Sequence, residues 1–265
     1  MLRTLPFVLA FACNGESDGP TDPEDSGTTA VCAFDDDSVV DLALDAPTEG
    51  FLCPLGDIDT YRIQMPPTAR LLRVSAAIDS IVSPVQVTWT VFAEDGTTAL
   101  ASPAAGEAAL AGVPLTLVHA IDGGTVLLQV RDLASDAQDI RHPYSITVSA
   151  FEDGDVAEPN DDPSLATALV DTVTGYVSSR GDLDWYTFDA AANSAATLRL
   201  SSPIADYQPR FSVHAPDGTV ILDESNPAGT VAETDLLRRL ALEQAGTWRV
   251  LVQDDDDREF DIDTP

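Results

Sequence analysis

The sequence predicts an all-β protein built from two tandem copies of one antiparallel sandwich or barrel module. Three observations predict it. Apolar and polar residues alternate with period two in several segments. Asp-Gly turns and Gly, Pro and Ser breaks divide these segments at intervals of roughly ten residues, the spacing of a sandwich or a barrel. The same landmarks then recur in the same order in the second half of the chain.

Alternation is clearest where Val85, Val87, Trp89 and Val91 are interleaved with Gln86, Thr88 and Thr90. Ala196, Leu198 and Leu200 alternate with Thr197, Arg199 and Ser201, and Trp248, Val250 and Val252 with Thr247, Arg249 and Gln253. Period two with one apolar face is the pattern of antiparallel strands that cover a core on one side. Helical periodicity is nearly absent. Ala105 to Ala111 and Val231 to Leu242 could each form a helical turn, although Leu236 to Leu242 also reads as a strand.

The repeat is read from four ordered matches. Gly56-Asp57-Ile58-Asp59-Thr60-Tyr61 recurs as Gly181-Asp182-Leu183-Asp184-Trp185-Tyr186, a shift of 125 (56 to 181). Asp95-Gly96-Thr97 recurs as Asp217-Gly218-Thr219, a shift of 122 (95 to 217). Gly124-Thr125-Val126 and Val130-Arg131-Asp132 recur as Gly246-Thr247-Trp248 and Val252-Gln253-Asp254, and Asp139 to Pro143 as Asp261 to Pro265, both again at 122. In the first copy Pro143 leads into an alternating strand, Tyr144 to Ala150, that closes the module, whereas the sequence ends at Pro265. A sandwich without its last strand exposes an edge. The expectation is therefore a truncated chain that would continue with a Tyr-x-Leu/Ile-x-Val segment, the alternative being a strand donated by another chain.

Charge restricts the partners. The 265 residues include 45 Asp plus Glu against 13 basic residues, all of them Arg, for a net charge of −32. Such a surface repels nucleic acid and anionic membrane and suits divalent cations or basic partners. Its plainest use is to keep an exported protein soluble. At the start, Arg3 is followed by the short apolar run Leu5 to Ala12, too short to span a bilayer and shaped like an export signal over residues 1–12. Leu9-Ala10-Phe11-Ala12-Cys13 resembles the lipobox of bacterial lipoproteins, with Ala10 and bulky Phe11 departing from it. The resemblance implies lipidation of Cys13 and, with Asn14 following, placement at the outer membrane or cell surface; ordinary secretion after cleavage is the alternative. Residues 13–31 then form a flexible acidic tether, since 14–30 contain no large apolar side chain. No later stretch is apolar enough to cross a membrane. Lipidation of Cys13 would leave Cys32 and Cys53 to pair in an oxidising compartment, closing a loop worth about 3 kcal/mol in the chain-entropy picture. Two unpaired thiols are the alternative.

Glu158-Pro159-Asn160-Asp161-Asp162, Gly181-Asp182-Leu183-Asp184-Trp185-Tyr186-Thr187-Phe188 and Ala245-Gly246-Thr247-Trp248-Arg249-Val250-Leu251-Val252 together resemble the bacterial pre-peptidase C-terminal domain, in order and in spacing. The resemblance covers residues 157–265, within a second module of residues 153–265. Residues 32–152 resemble a diverged copy that keeps Gly-Asp-x-Asp-x-Tyr but has Ala33-Phe34-Asp35-Asp36 in place of the Glu-Pro-Asn-Asp segment. The family implies two jelly-roll-like antiparallel β-sandwiches of a kind appended to secreted proteases and other exported proteins. It is similar to the collagen-binding modules of clostridial collagenases, some of which bind calcium, and such modules bind or assist rather than catalyse.

Calcium takes six to eight hard oxygen ligands. Glu158, Asn160 and Asp161, with Asp182 and Asp184 of the motif, are the candidate set. Against that, Asp182 and Asp184 could simply cap a turn, and residues 158–161 could be only a linker. Trp185, on the strand face opposite Tyr186 and Phe188, is a candidate ligand platform together with Tyr207, or else a side chain covered by a loop. His119, His142 and His214 show no zinc-binding spacing. No Gly-x-Ser-x-Gly elbow or phosphate-binding Gly-rich loop is present. The sequence thus reads as a non-catalytic cell-surface lipoprotein, a binding, adhesion or spacer module for an extracellular protein or polymer. It would meet the membrane only through its N-terminal lipid, would bind no nucleic acid and would be stabilised by calcium. The alternative is the accessory region of a larger secreted hydrolase.

Overall fold

Alternating apolar residues become strands because only pairing hides their backbone groups while one face is buried. The computed structural model describes residues 38–79, 81–201, 209–225 and 236–254. The export signal, the tether, Cys13, Cys32, the Ala33 to Asp36 segment and Tyr207 lie outside the described residues.

In the first half, β1 (Val40–Leu42), β3 (Ile58–Gln64), β5 (Val87–Ala93), β6 (Ala99–Ala101) and β8 (Thr125–Asp132) form one sheet in the order β1-β3-β8-β5-β6. Facing it, β2 (Thr48–Gly50), β4 (Leu71–Ile78), β7 (Leu115–Ala120) and β9 (Tyr144–Phe151) are ordered β2-β9-β4-β7. In the second half, β10 (Thr167–Ala168), β11 (Asp184–Ala190), β13 (Pro209–His214), β14 (Val220–Ser225) and β16 (Gly246–Asp254) are ordered β10-β11-β16-β13-β14. β12 (Ser194–Leu200) and β15 (Leu236–Leu242) pair with each other in a further sheet.

The two five-stranded sheets share their strand order, and equivalent strands share their register. Asp59 lies opposite Val130 and Asp184 opposite Val252, while Trp89 lies opposite Val130 and Phe211 opposite Val252. These are the offsets of the sequence matches, 125 for β3 to β11 and 122 for the other two. Each sheet also begins with a short strand paired in parallel, Val40 against Tyr61 and Thr167 against Tyr186.

The protein is all-β, and neither segment considered for a helical turn becomes helical among the described residues. Val87 and Ala109 exchange backbone hydrogen bonds of 2.9 and 2.8 Å, which holds the Ala-rich stretch against β5. All seven residues of β15 pair with β12. Tertiary pairing has overridden alanine's helix propensity.

Two separate cores result. One is built on Ile63, Leu72, Val74, Trp89, Leu128, Ile146 and Val148, the other on Tyr186, Phe211, Val213, Leu242, Trp248 and Val250. The described residues of both halves nevertheless belong to one compact unit. Val118 is 0 % exposed although it lies on the face of β7 opposite the core residue Leu117, and the Arg180 N–H of the second half donates to its carbonyl at 3.4 Å. Among the described residues no helix is long and apolar enough to cross a membrane.

The turn leading into β3 and β11 is built the same way twice. Gly56 and Gly181 take φ of 85° and 79°, a region closed to most side chains. Asp57 and Asp182 follow, and their carboxylates accept the N–H groups of Cys53 (2.8 Å) and Ser178 (2.5 Å), also 125 residues apart.

Two predictions follow from the packing. Trp248→Ala, which empties a large site in the second core, is expected to cost about 3–5 kcal/mol in urea unfolding. His119, 6 % exposed, has its pKa lowered from 6.5 to about 4, by burial and then by the Arg180 charge. Because the folded value lies below the unfolded one, the stability contributed by neutral His119 is complete above about pH 6.5. It is lost as pH falls through 4, on the order of 3 kcal/mol in all. Urea midpoints measured from pH 7 to pH 4 should fall by more in the parent than in His119→Leu.

Candidate metal centre

The segment ahead of β10 winds because its carboxylates accept backbone N–H groups two residues on, the Asx-turn habit of short acidic side chains. Asp155 N donates to Asp153 at 2.9 Å, Ala157 N to Asp155 at 2.7 Å, and Asn160 N to Glu158 Oε2 at 3.0 Å. The same carboxylates tie this segment to the one before β11. Tyr176 N donates to the second oxygen of Asp155 (2.9 Å) and the Ser178 hydroxyl to Asp153 (2.9 Å). Trp185 N donates to the Asn160 carbonyl at 3.0 Å and Leu183 N to Asp161 at 3.3 Å.

This stitching brings one carboxylate oxygen each from Glu158, Asp161 and Asp182 within 4.8 Å of one another. Asp184 stands beside them, 3 % exposed, accepting from the Asn160 amide at 3.0 Å and the Tyr186 hydroxyl at 3.2 Å. Asn160 is 0 % exposed, and its side-chain oxygen has no donor among the described residues. An acceptor buried without a donor is costly unless something positive meets it.

The electrostatics agree. Burial pushes the Asp182 carboxyl up to about 8, with repulsion from Asp184 adding to it. Burial likewise raises Asp184 to about 7, against the Asn160 amide, which lowers it, and Glu158 to about 7 against the Asn160 N–H. Two oxygens bound across one calcium ion at 2.3–2.6 Å each are at most about 5 Å apart, so the cluster has the right span. An oxygen-only donor set suits a hard cation and not zinc.

All five sequence candidates meet here, and both sequence readings of Asp182 apply: it caps its turn and stands in the cluster. Asp153 and Asp155 were not singled out from the sequence, although the Asp153-Gly154-Asp155 spacing was visible. Their importance depends on Gly175, where a Cβ would come within 2.6 Å of the Tyr186 hydroxyl and 2.9 Å of Asp155.

The first module treats its equivalent aspartate differently. Asp59 accepts from the Tyr144 hydroxyl at 2.5 Å, and Tyr144 lies 2.6 Å from the Tyr61 hydroxyl. Burial pushes Tyr61 up to about 12, so these phenols are proton-bearing partners rather than ligands.

Elsewhere, Trp185 is half-buried on the outer face of β11, its ring 5.0 Å from that of His214. His214 is in turn 2.9 Å from the Ser212 hydroxyl. The carboxylate opposite Ser212, that of Asp223, is engaged by Arg210 at 2.8 and 2.7 Å. His142 is 2.7 Å from Asp139. Asp254 is buried at the end of β16.

Fold and site together define a β-sandwich protein with a partly buried, oxygen-lined acidic cluster where its second module begins. No family model matches the chain, and no curated protein matches it. Among solved structures it is similar to the pre-peptidase C-terminal domain of collagenase from Bacillus anthracis, with 17% identity over 43% of this chain and 97% of that one and a TM-score of 0.33. It is also similar to the CUB1-EGF-CUB2 domains of rat MASP-1 (13% identity, 82% and 95% covered, TM-score 0.28). A third is the N-terminal CBM22-1-CBM22-2 tandem domain of Paenibacillus barcinonensis Xyn10C (9% identity, 84% and 90% covered, TM-score 0.25). Likenesses this distant do not bear on what the chain does.

A pH dependence opposite to that of His119 is expected here. The folded values of Glu158, Asp182 and Asp184 lie above their ordinary 4.5, 3.8 and 3.8, so the metal-free folded state holds protons that the unfolded state releases. The stability that these three groups contribute in chelator is therefore full below about pH 4 and lost as pH rises through 7 to 8. Unfolding of the second module, followed from pH 5 to 8 with a chelator present, checks the sign.

Proposed function

We propose that the chain is a non-catalytic cell-surface protein whose two tandem modules, similar to pre-peptidase C-terminal domains, act as a binding or spacer element for an extracellular protein or polymer. In this reading Cys13 carries the lipid anchor, Cys32 and Cys53 form a disulfide in the first module, and calcium stiffens the junction at residues 153–162. The carrying observation is the Glu158, Asp161 and Asp182 cluster with the orphan oxygen of Asn160 beside it. Glu158, Asn160, Asp161, Asp182 and Asp184 would supply the protein oxygens. The ion would neutralise carboxylates that otherwise repel, and so lock the start of the module onto β11. The half-buried Trp185 beside His214 supports a ligand surface on the outer face of that sheet.

Thermal unfolding in calcium and in chelator tests the metal. Calcium at about 100 times its dissociation constant should stabilise by about 2.7 kcal/mol. Glu158→Gln should raise the metal-free midpoint by relieving repulsion while reducing the calcium response. An unchanged midpoint at millimolar calcium would end the proposal of a metal site.

A further inference from the structure

We infer that cation occupancy of the acidic cluster and docking of the second module on the first are coupled through Arg180. This rests on the cation reading above and adds to it a regulation of the same site.

Arg180 lies two residues before Asp182 in the turn that carries that carboxylate. Its guanidinium reaches into the first module and makes two hydrogen bonds to Glu107, of 2.5 and 3.2 Å, with only 15% of the side chain exposed. Its backbone N–H donates to Val118 of β7. On its other side the turn is fastened to the cluster: Ser178, almost fully buried, donates its N–H to Asp182 and its hydroxyl to Asp153. Residues 178–182 are therefore one short stretch gripped at both ends, by the first module through Arg180 and by the cluster through Ser178 and Asp182.

The stretch cannot respond at one end without the other. Without a cation, the carboxylates of Glu158, Asp161, Asp182 and Asp184 repel wherever they are ionised, and moving Asp182 outward relieves them. The same movement draws Arg180 away from Glu107. A guanidinium released from Glu107 is a cation on a long side chain two residues from Asp182, and it competes with a metal ion for the carboxylates of the cluster. Held on Glu107, it is withheld from that competition. Docking thus favours metal binding and metal binding favours docking, and linkage requires the two effects to be equal in size.

The test uses the full chain with calcium as the probe. Calcium binding is measured by isothermal titration for the parent and for Glu107→Gln, which lies outside the cluster. The expected result is a loss of affinity of about fivefold or more. It should persist at about 1 M NaCl, where the Debye length is near 3 Å and a through-solvent effect of the lost charge is screened. Scanning calorimetry provides the second readout. Calcium should raise the unfolding midpoint of the first module in the parent, and in Glu107→Gln only that of the second. Equal affinities together with an unmoved first module would overturn the coupling while leaving the metal site standing. No binding heat in the parent would instead remove the metal site, and the coupling with it. Should Glu107→Gln fail to fold, Arg180→Gln is read by calorimetry alone, and a first-module midpoint that still follows calcium overturns the inference.

Discussion

A carboxylate taken out of water must be neutralised, protonated or supplied with donors, and the second module is arranged around that requirement at Asp182 and Asp184. Both are buried, at 8% and 3% exposed. Gly181 supplies the left-handed backbone that turns Asp182 inward, Ser178 gives it one N–H, and Asn160 and Tyr186 provide donors for Asp184. These contacts fix the path of residues 153–162, and that path brings Glu158 and Asp161 to the same place. The donors are too few for the charges gathered. The cation proposed above would complete the site, beside a buried Asn160 oxygen that has no donor among the described residues.

One scaffold therefore carries two answers to one problem. Gly-Asp-x-Asp-x-Tyr opens β3 and β11 alike, in the same turn and the same register. In the first module the strand β9 brings Tyr144 to Asp59, so a phenol proton satisfies the carboxylate. In the second, an amide from the leading segment reaches Asp184 in its place. A neutral donor completes the first site locally. The second remains rich in negative charge, and its geometry then matters to whatever touches the same turn.

The scarcity of basic residues makes their placement informative. Most pairs, such as Arg62 with Asp41 and Arg70 with Asp122, are well exposed, where ion pairs contribute little. Arg180 differs because it is largely enclosed at the junction and joined to Glu107. Breaking such a pair leaves a buried charge without its partner, which costs far more than a surface pair gains. The junction is thereby specified by one side chain, set in the turn that also holds the acidic cluster.

Much of this was legible in the amino-acid order. Alternation located β5, β12 and β16, since period two has one meaning where the polar positions are Thr, Gln and Arg. The repeat offsets marked which residues of the two halves correspond, because duplicated strands keep their spacing, but the register within each sheet came only with folding. Glu158, Asn160, Asp161, Asp182 and Asp184 were found as a set from residue type and motif alone. Tertiary structure decided the rest. Only folding could show that Ala105 to Ala111 is held by β5, that Asp153 and Asp155 brace the cluster, and that Arg180 crosses to Glu107, 73 residues away. Sequence periodicity reports which face of a strand is buried; it carries no information about which side chains from distant segments meet there, and an ion pair or a shared carboxylate pocket exists only once they do.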